Sequence, residues 1–191
     1  IICRPAIVAI DLQNDILEGG ALACGRIHLI LPQLKKLFAQ ARQLGIPVIY
    51  VCDRHYKNDP ELQLWNNHMM AGSYGVQIID EVKPGPDDCV VYKNRFNGFV
   101  NSALDKTLRH LEINTIVITG WRSDVCVAQT AIEAFYRGYR VAVADVHVLP
   151  GQHALQNTLR HTQQRKPNIA QVAQRMHHAM HRRLISRFHR Q

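Results

Sequence analysis

The sequence lacks the features that mark several classes of protein. It has no Cys-x-x-Cys pair, and its cysteines are odd in number: Cys3, Cys24, Cys52, Cys89 and Cys126. This argues against a disulfide framework or a structural zinc knuckle and favours a reducing compartment. No run approaches the ~18 apolar residues of a membrane span, and the first residues lack the pattern of a secretory signal. We therefore expect a cytoplasmic protein.

Acidic residues are missing from the last part of the chain. Residues 151–191 carry eight Lys and Arg and no Asp or Glu, whereas the 15 basic and 15 acidic residues of 1–150 cancel, so this segment accounts for the net charge of +8. We interpret the 191 residues as a single domain with a catalytic body, 1–150, and a basic helical segment, 151–191.

Within the basic segment, Ile169, Val172, Ala173, Met176, Met180 and Leu184 form an apolar stripe at helical spacing. The stripe favours packing or oligomerisation over binding to nucleic acid or membrane.

The catalytic body alternates apolar runs with helical patterns. Continuous apolar runs predict strands at 6–12, 47–52, 89–93, 115–120 and 140–146. Helical spacing predicts helices around 31–41, 102–111 and 124–137. A sixth strand is expected near 168–170. Apolar strands separated by helices are typical of an α/β fold: a doubly wound, mostly parallel open sheet of five or six strands, Rossmann-like and three-layered.

Reactive side chains stand where the predicted strands end. Asp11, Asp53, Lys93 and Asp145 close four of them, and Cys126 follows the remaining one. Because ligands of open α/β sheets bind outside the carboxyl ends of the strands, these side chains mark the candidate site.

Cys126 is predicted to lie in the first turn of a helix capped by Ser123 or Asp124. The free N–H groups and the helix dipole there would make its thiol more acidic than a free one. The alternative is a small apolar core residue. With Asp11 as a proton carrier and Lys93 as a nearby cation, the nucleophile is the better interpretation.

These segments resemble a known family. AIVAIDLQNDILEGGAL, VVYKNRFNGFVNSALDKTLRHLEINTIVITGW and SDVCVAQTAIEAFYRGYRVAVADV are similar, in order, to motifs of the isochorismatase-like cysteine hydrolases, across about residues 6–146. That family includes nicotinamidases, N-carbamoylsarcosine amidohydrolase and ureidoacrylate amidohydrolases.

The resemblance implies an Asp–Lys–Cys triad of Asp11, Lys93 and Cys126 that hydrolyses a C–N bond through a thioester. It also implies an oxyanion hole made by the backbone N–H groups of Arg122 and Cys126, and a non-proline cis peptide between Trp121 and Arg122.

The resemblance also suggests a metal. In nicotinamidases an Asp-x-His pair and a later histidine bind a divalent ion, and here Asp53, His55 and His68 match them, with Glu61 as a further acidic candidate. Zinc or iron suits this donor set. In the alternative, no metal is required and these residues only order a loop.

Substrate-pocket candidates are Ile16, Trp65, Arg95, Phe96 and Trp121. Arg95 and Arg122 carry guanidinium groups that suit a planar carboxylate or ureido acceptor; the alternative, favoured for each from the sequence, is an ordinary surface arginine. Ile16 and Arg122 depart from the residues usual in nicotinamidases.

The sequence therefore predicts a cysteine hydrolase that cleaves a small amide or ureide and assembles as a homo-oligomer. Two alternatives stay open at this point. One is a metal-dependent nicotinamidase, and the other is an interaction protein that binds nucleic acid or a membrane through residues 151–191.

Overall fold

A computed structural model describes residues 3–144 of the chain. Its strands are β1 (Pro5–Ile10), β2 (Val48–Asp53), β3 (Cys89–Lys93), β4 (Thr115–Gly120) and β5 (Arg140–Val143). They form one parallel sheet in the order β3-β2-β1-β4-β5. β1 is central because its apolar side chains are buried on both faces, as a strand covered by helices on each side requires.

The helices are α1 (Ile27–Gln43), α2 (Leu104–His110) and α3 (Cys126–Tyr136). Short 3-10 helices occur at Asn14–Ile16, Pro60–Gln63 and Asp80–Val82. The predicted apolar stripe of α1 is buried and extends one turn further toward the N-terminus, to Ile27. Gly45, at φ +66°, follows the end of α1, where a left-handed residue terminates the helix as predicted.

Two apolar layers flank the sheet. On one face, Leu34 and Phe38 of α1 pack against Tyr50 and Val117. On the other face, α2 and α3 pack against Ile10 and neighbouring strand residues. The predicted three-layer, doubly wound α/β fold is therefore confirmed.

Several predictions fall on residues 145–191, which lie outside the described part of the chain. They concern Asp145, the sixth strand, the basic helical segment with its apolar stripe, and the division of a single domain at residue 150. β5 was predicted to reach residue 146, and the strand ends at Val143. Within residues 3–144, no helix is both long and apolar enough to cross a bilayer.

The strand register brings the reactive side chains to one edge. Ile10 pairs with Gly120, and Asp53 pairs with Lys93. Since all strands are parallel, the segments that follow β1, β2, β3 and β4 emerge on the same side of the sheet.

Candidate active site

Three elements, β1, β3 and α3, supply the predicted triad. Asp11 follows β1 in a left-handed conformation at φ 51°, Lys93 is the last residue of β3, and Cys126 is the first residue of α3. The Cys126 sulfur and one carboxylate oxygen from each of Asp11 and Asp53 lie within 4.8 Å of one another. The structure thus brings the three predicted residues together with a fourth, Asp53.

Lys93 lies between two carboxylates. Its Nζ donates to Asp11 Oδ2 at 2.9 Å and to Asp53 Oδ1 at 2.5 Å, and all three side chains are buried. Although burial disfavours the ammonium, Asp11 and Asp53 outweigh it and raise the pKa of Lys93. Lys93 is therefore charged and compensates the carboxylates.

Gln13 fixes the position of Asp53, and sequence reasoning missed it. Its Oε1 accepts from the Asp53 N–H at 2.8 Å, and its Nε2 donates to the carbonyls of Asp53 and Val76, both at 2.7 Å. The same Asp53 N–H also donates to Asp11 Oδ1 at 3.1 Å. No local signal in the sequence marks this role, because the burial of the Gln13 amide, and hence its need for partners, appears only in the fold.

The pKa of Asp11 lies near neutral pH. Burial, with the Asp53 charge adding to it, raises the pKa of Asp11 to about 7, while Lys93 opposes the shift. Asp11 thus changes protonation state near neutral pH, which suits a group that must both take and return a proton.

The prediction that Cys126 is more acidic than a free thiol is wrong. Burial raises the pKa of Cys126, and Lys93 opposes the shift without reversing it, since the Asp11 and Asp53 carboxylates also disfavour a thiolate. In the resting site the sulfur is therefore a neutral thiol that hydrogen-bonds Asp11.

The start of α3 differs from the predicted cap. The residue before the helix is Val125, and no side chain caps it, so neither Ser123 nor Asp124 has that role. The Asp124 carboxylate instead accepts from Arg122 Nε at 2.9 Å and Nη2 at 2.6 Å. An adjacent guanidinium competes successfully for the carboxylate that would otherwise cap the helix.

The backbone before α3 follows the family pattern. The Trp121–Arg122 peptide is cis, as the resemblance predicted. Gly120, just before it, has φ +121°, and an added Cβ would lie 2.0 Å from the Ile10 carbonyl oxygen. Only glycine permits this close approach of β4 to β1. The oxyanion hole formed by the Arg122 and Cys126 N–H groups stays a prediction.

Four of the residues considered for the pocket lie together. The Arg122 guanidinium stands over Trp65 at 5.5 Å and Trp121 at 5.8 Å, and the Trp65 and Phe96 rings meet edge to face at 6.2 Å. A cation held over two indole rings is positioned by more than its ion pair with Asp124.

The other two pocket candidates, Ile16 and Arg95, make different contacts. Ile16 is fully buried in the core cluster beneath α1. Arg95 Nη1 donates to Asp59 Oδ1 at 3.3 Å and to the Asn94 carbonyl. Contact of either residue with a substrate stays a prediction.

Asp53, His55 and His68 form a second cluster beside the triad. One ligand atom from each lies within 4.8 Å of the others, and all three residues are buried. The imidazole rings are 4.6 Å apart, and His55 Nε2 is 3.7 Å from Asp53 Oδ2.

Each histidine of this cluster is oriented through its Nδ1 atom. His68 Nδ1 lies 2.6 Å from the Asn66 carbonyl and His55 Nδ1 lies 3.3 Å from Asp59 Oδ2. Both partners can only accept, so each Nδ1 carries the proton and each Nε2 is left to bind another group. Because His55 Nε2 is buried and finds no hydrogen-bond partner among residues 3–144, the cluster fits a divalent cation.

Glu61 adjoins the same cluster. Its Oε1 accepts from the Phe96 N–H at 2.7 Å, while its buried Oε2 has no hydrogen-bond partner in the described part of the chain. Burial raises the pKa of Glu61 to about 7, with Asp53 adding to the shift and Lys93 and His55 opposing it.

Comparison with known proteins identifies the family. The family model described as Isochorismatase domain matches residues 5–146. The chain belongs to the isochorismatase family. The structure resembles the crystal structure of N-carbamoylsarcosine amidase from Thermoplasma acidophilum, with a TM-score of 0.72, 34% identity, and coverage of 84% of this chain and 93% of that one.

Two curated relatives extend this similarity within the isochorismatase family. An N-carbamoylsarcosine amidase from Arthrobacter sp. is 30% identical over 72% of this chain and 56% of its own length. A ureidoacrylate amidohydrolase, RutB, from Pseudomonas savastanoi pv. phaseolicola is 31% identical over 73% of this chain and 69% of its own. The alignment thus spans little more than half of the first relative.

Proposed function

We propose that this isochorismatase-family protein hydrolyses a C–N bond of a small amide or ureido compound, with Cys126 as nucleophile. The observation that carries the proposal is the buried cluster in which one ammonium holds two carboxylates beside a thiol. The names of the relatives, an amidase and an amidohydrolase, support the reaction type.

The first step uses Asp11 as a base. Its carboxylate, ionised above a pKa of about 7, takes the proton from the Cys126 thiol as the sulfur attacks the carbonyl carbon. The S–C bond forms and the carbonyl π electrons move to oxygen. The charge then falls near the start of α3, where backbone N–H groups stabilise an oxyanion.

Collapse of this intermediate breaks the C–N bond. Asp11 returns its proton to the departing nitrogen, so ammonia or an amine leaves and a thioester on Cys126 remains. Water then attacks the thioester carbon while Asp11 takes a proton from it. The C–S bond breaks as the acid forms, and Asp11 returns that proton to the sulfur, which restores the thiol. Lys93 stays protonated throughout, so its positive charge balances the charge of one carboxylate while Asp11 gains and loses its proton.

The pocket candidates support a small, planar substrate with an acceptor group. Trp65, Phe96 and Trp121 supply flat apolar surfaces, and Arg122 supplies a guanidinium among them. A carboxylate or ureido oxygen is the matching partner of such a fork.

The test is ammonia release by purified protein over a panel of N-carbamoyl amino acids, ureidoacrylate-like compounds, biuret and nicotinamide, each with and without chelator. Release that survives chelator and disappears in Cys126→Ala supports the proposal. Release that persists in Cys126→Ala removes Cys126 as nucleophile.

A second candidate function is a metal-dependent nicotinamidase. It is favoured by the convergence of Asp53, His55 and His68 and by the unpartnered His55 Nε2. A divalent cation held by these three residues would supply a Lewis acid that polarises or orients a substrate atom. Nicotinamide hydrolysis that chelator abolishes and zinc restores would establish it.

A further inference from the structure

Asp59 occupies a position whose usual role it does not perform. It is the residue before the 3-10 helix Pro60–Gln63, where an aspartate ordinarily accepts from a backbone N–H of the first turn. Its side chain makes no such bond. A residue that departs from a strong local preference is expected to serve another purpose.

The Asp59 carboxylate instead faces the metal-binding candidates. Its Oδ2 accepts from the Tyr56 N–H at 3.1 Å and lies 3.3 Å from His55 Nδ1. Its Oδ1 accepts from Asn94 Nδ2 at 2.8 Å and Arg95 Nη1 at 3.3 Å. The side chain is only 10% exposed, and these partners hold it in place.

We propose that Asp59 is a positioning residue that presents His55 to a divalent cation. It holds the imidazole in the form that carries its proton on Nδ1, which directs the Nε2 lone pair toward Asp53 Oδ2. This inference rests on the metal-binding candidate described above and is independent of the role of Cys126.

The physical argument concerns the freedom of the imidazole ring. Unless its Nδ1 is held, His55 can flip its ring or move its proton to Nε2, and either change removes the lone pair from the cation. A carboxylate on the far nitrogen excludes both and makes the ligating nitrogen more basic. Asn66 supplies the same restraint to His68 with a neutral carbonyl, so the two ligands differ in strength.

Asp59 also joins this ligand to the segment after Lys93. Asn94 and Arg95 follow the triad lysine directly, and both donate to the carboxylate that orients His55. One side chain therefore sets the position of a metal ligand relative to the end of β3.

The experiment measures Zn²⁺ affinity by competition with a chromophoric chelator, for the full chain and for Asp59→Ala and Asp59→Asn. We expect Asp59→Ala to weaken binding about 10–100-fold. Asp59→Asn should fall between, because its amide oxygen still accepts from Nδ1. The matched control is Asp88→Ala, which removes a similarly buried carboxylate that bonds Arg42 and the Gly85 N–H before β3 begins. It should leave Zn²⁺ affinity within about twofold.

A readout without metal separates positioning from general loosening of the loop. Nitrogen-15 NMR of the histidine side chains in chelator-treated protein should show His55 protonated on Nδ1 in the wild type and a mixed population in Asp59→Ala. Unchanged Zn²⁺ affinity in Asp59→Ala, or equal loss in Asp88→Ala, would overturn the proposal. So would a wild-type protein that binds no Zn²⁺, whereas ammonia release in chelator would still report on Cys126.

Discussion

The two polar clusters at the carboxyl edge of the sheet share Asp53 but differ in completeness. In the triad cluster, Lys93 binds both carboxylates and the thiol bonds Asp11. In the histidine cluster, neither His55 Nε2 nor Oε2 of the adjoining Glu61 has a hydrogen-bond partner among residues 3–144. Thr119 Oγ1 is the third buried atom of this kind in those residues. Unsatisfied buried groups cost free energy, so a bound cation would complete the histidine cluster where residues 3–144 supply no partner.

The largest effect we expect is on the triad. Cys126→Ala should lower kcat by on the order of 10⁴-fold or more, because the covalent route is lost entirely. The measurement is steady-state ammonia release on whichever panel substrate is cleaved. Cys24→Ala, which removes a half-buried thiol that packs against the α1 side of the sheet, is the control and should stay near wild type. An active Cys126→Ala protein would show that the completed cluster is only structural.

Next in size is the stability of the triad cluster. Lys93→Met removes the single cation between two buried carboxylates and should lower the free energy of unfolding by about 3–5 kcal/mol at pH 8. Urea denaturation followed by circular dichroism measures it. Part of the loss should disappear below pH 5, where the remaining carboxyls take up protons. A pH-independent loss would mean that packing, and not charge, is what Lys93 supplies.

The pH dependence of turnover tests the role of Asp11. Because its raised pKa is about 7 and the carboxylate form is the base, kcat/KM should fall about tenfold per pH unit below roughly pH 6 and level off above roughly pH 8. The apparent value belongs to the coupled Asp11–Asp53 pair. Asp11→Asn should abolish most activity. A profile that is flat from pH 5 to 8 contradicts Asp11 as the base.

The smallest effect concerns the histidine cluster. The folded state raises the pKa of Glu61 to about 7, so wild-type protein loses stability as pH rises from roughly 4.5 toward 7. Glu61→Gln in chelator should therefore match the wild type at pH 4 and become more stable by about 1–3 kcal/mol at pH 8. Thermal denaturation at the two pH values measures this. A stabilising effect that is equal at both pH values would show that charge is not the cause.

Much of this arrangement was predictable from the sequence. β-branched apolar runs and helical spacing gave the five strands and three helices, and the parallel order put Asp11, Lys93 and Cys126 on one edge. Strand ends are informative because a parallel sheet gathers them whatever the loops do.

What the sequence did not predict depends on side-chain direction. The sequence suggested only a metal-binding role for Asp53, yet the β2–β3 register pairs Asp53 with Lys93. The acidity of Cys126 was misjudged because local position suggested a helix terminus, while burial depends on the whole fold. Gln13 binds Asp53 and Asp59 binds Asn94, and no local pattern reports these distant partners, although His55 lies only four residues before Asp59.

Asp53 has one further consequence, which follows from thermodynamic linkage. One of its oxygens binds Lys93 and the other faces His55. A cation drawn to the second oxygen competes for the same charge that holds the lysine. By reciprocity, if a bound cation weakens the Asp53–Lys93 interaction by some factor, that interaction weakens the affinity for the cation by the same factor. Cation binding in the histidine cluster and the charge balance of the triad cluster would therefore be coupled through Asp53.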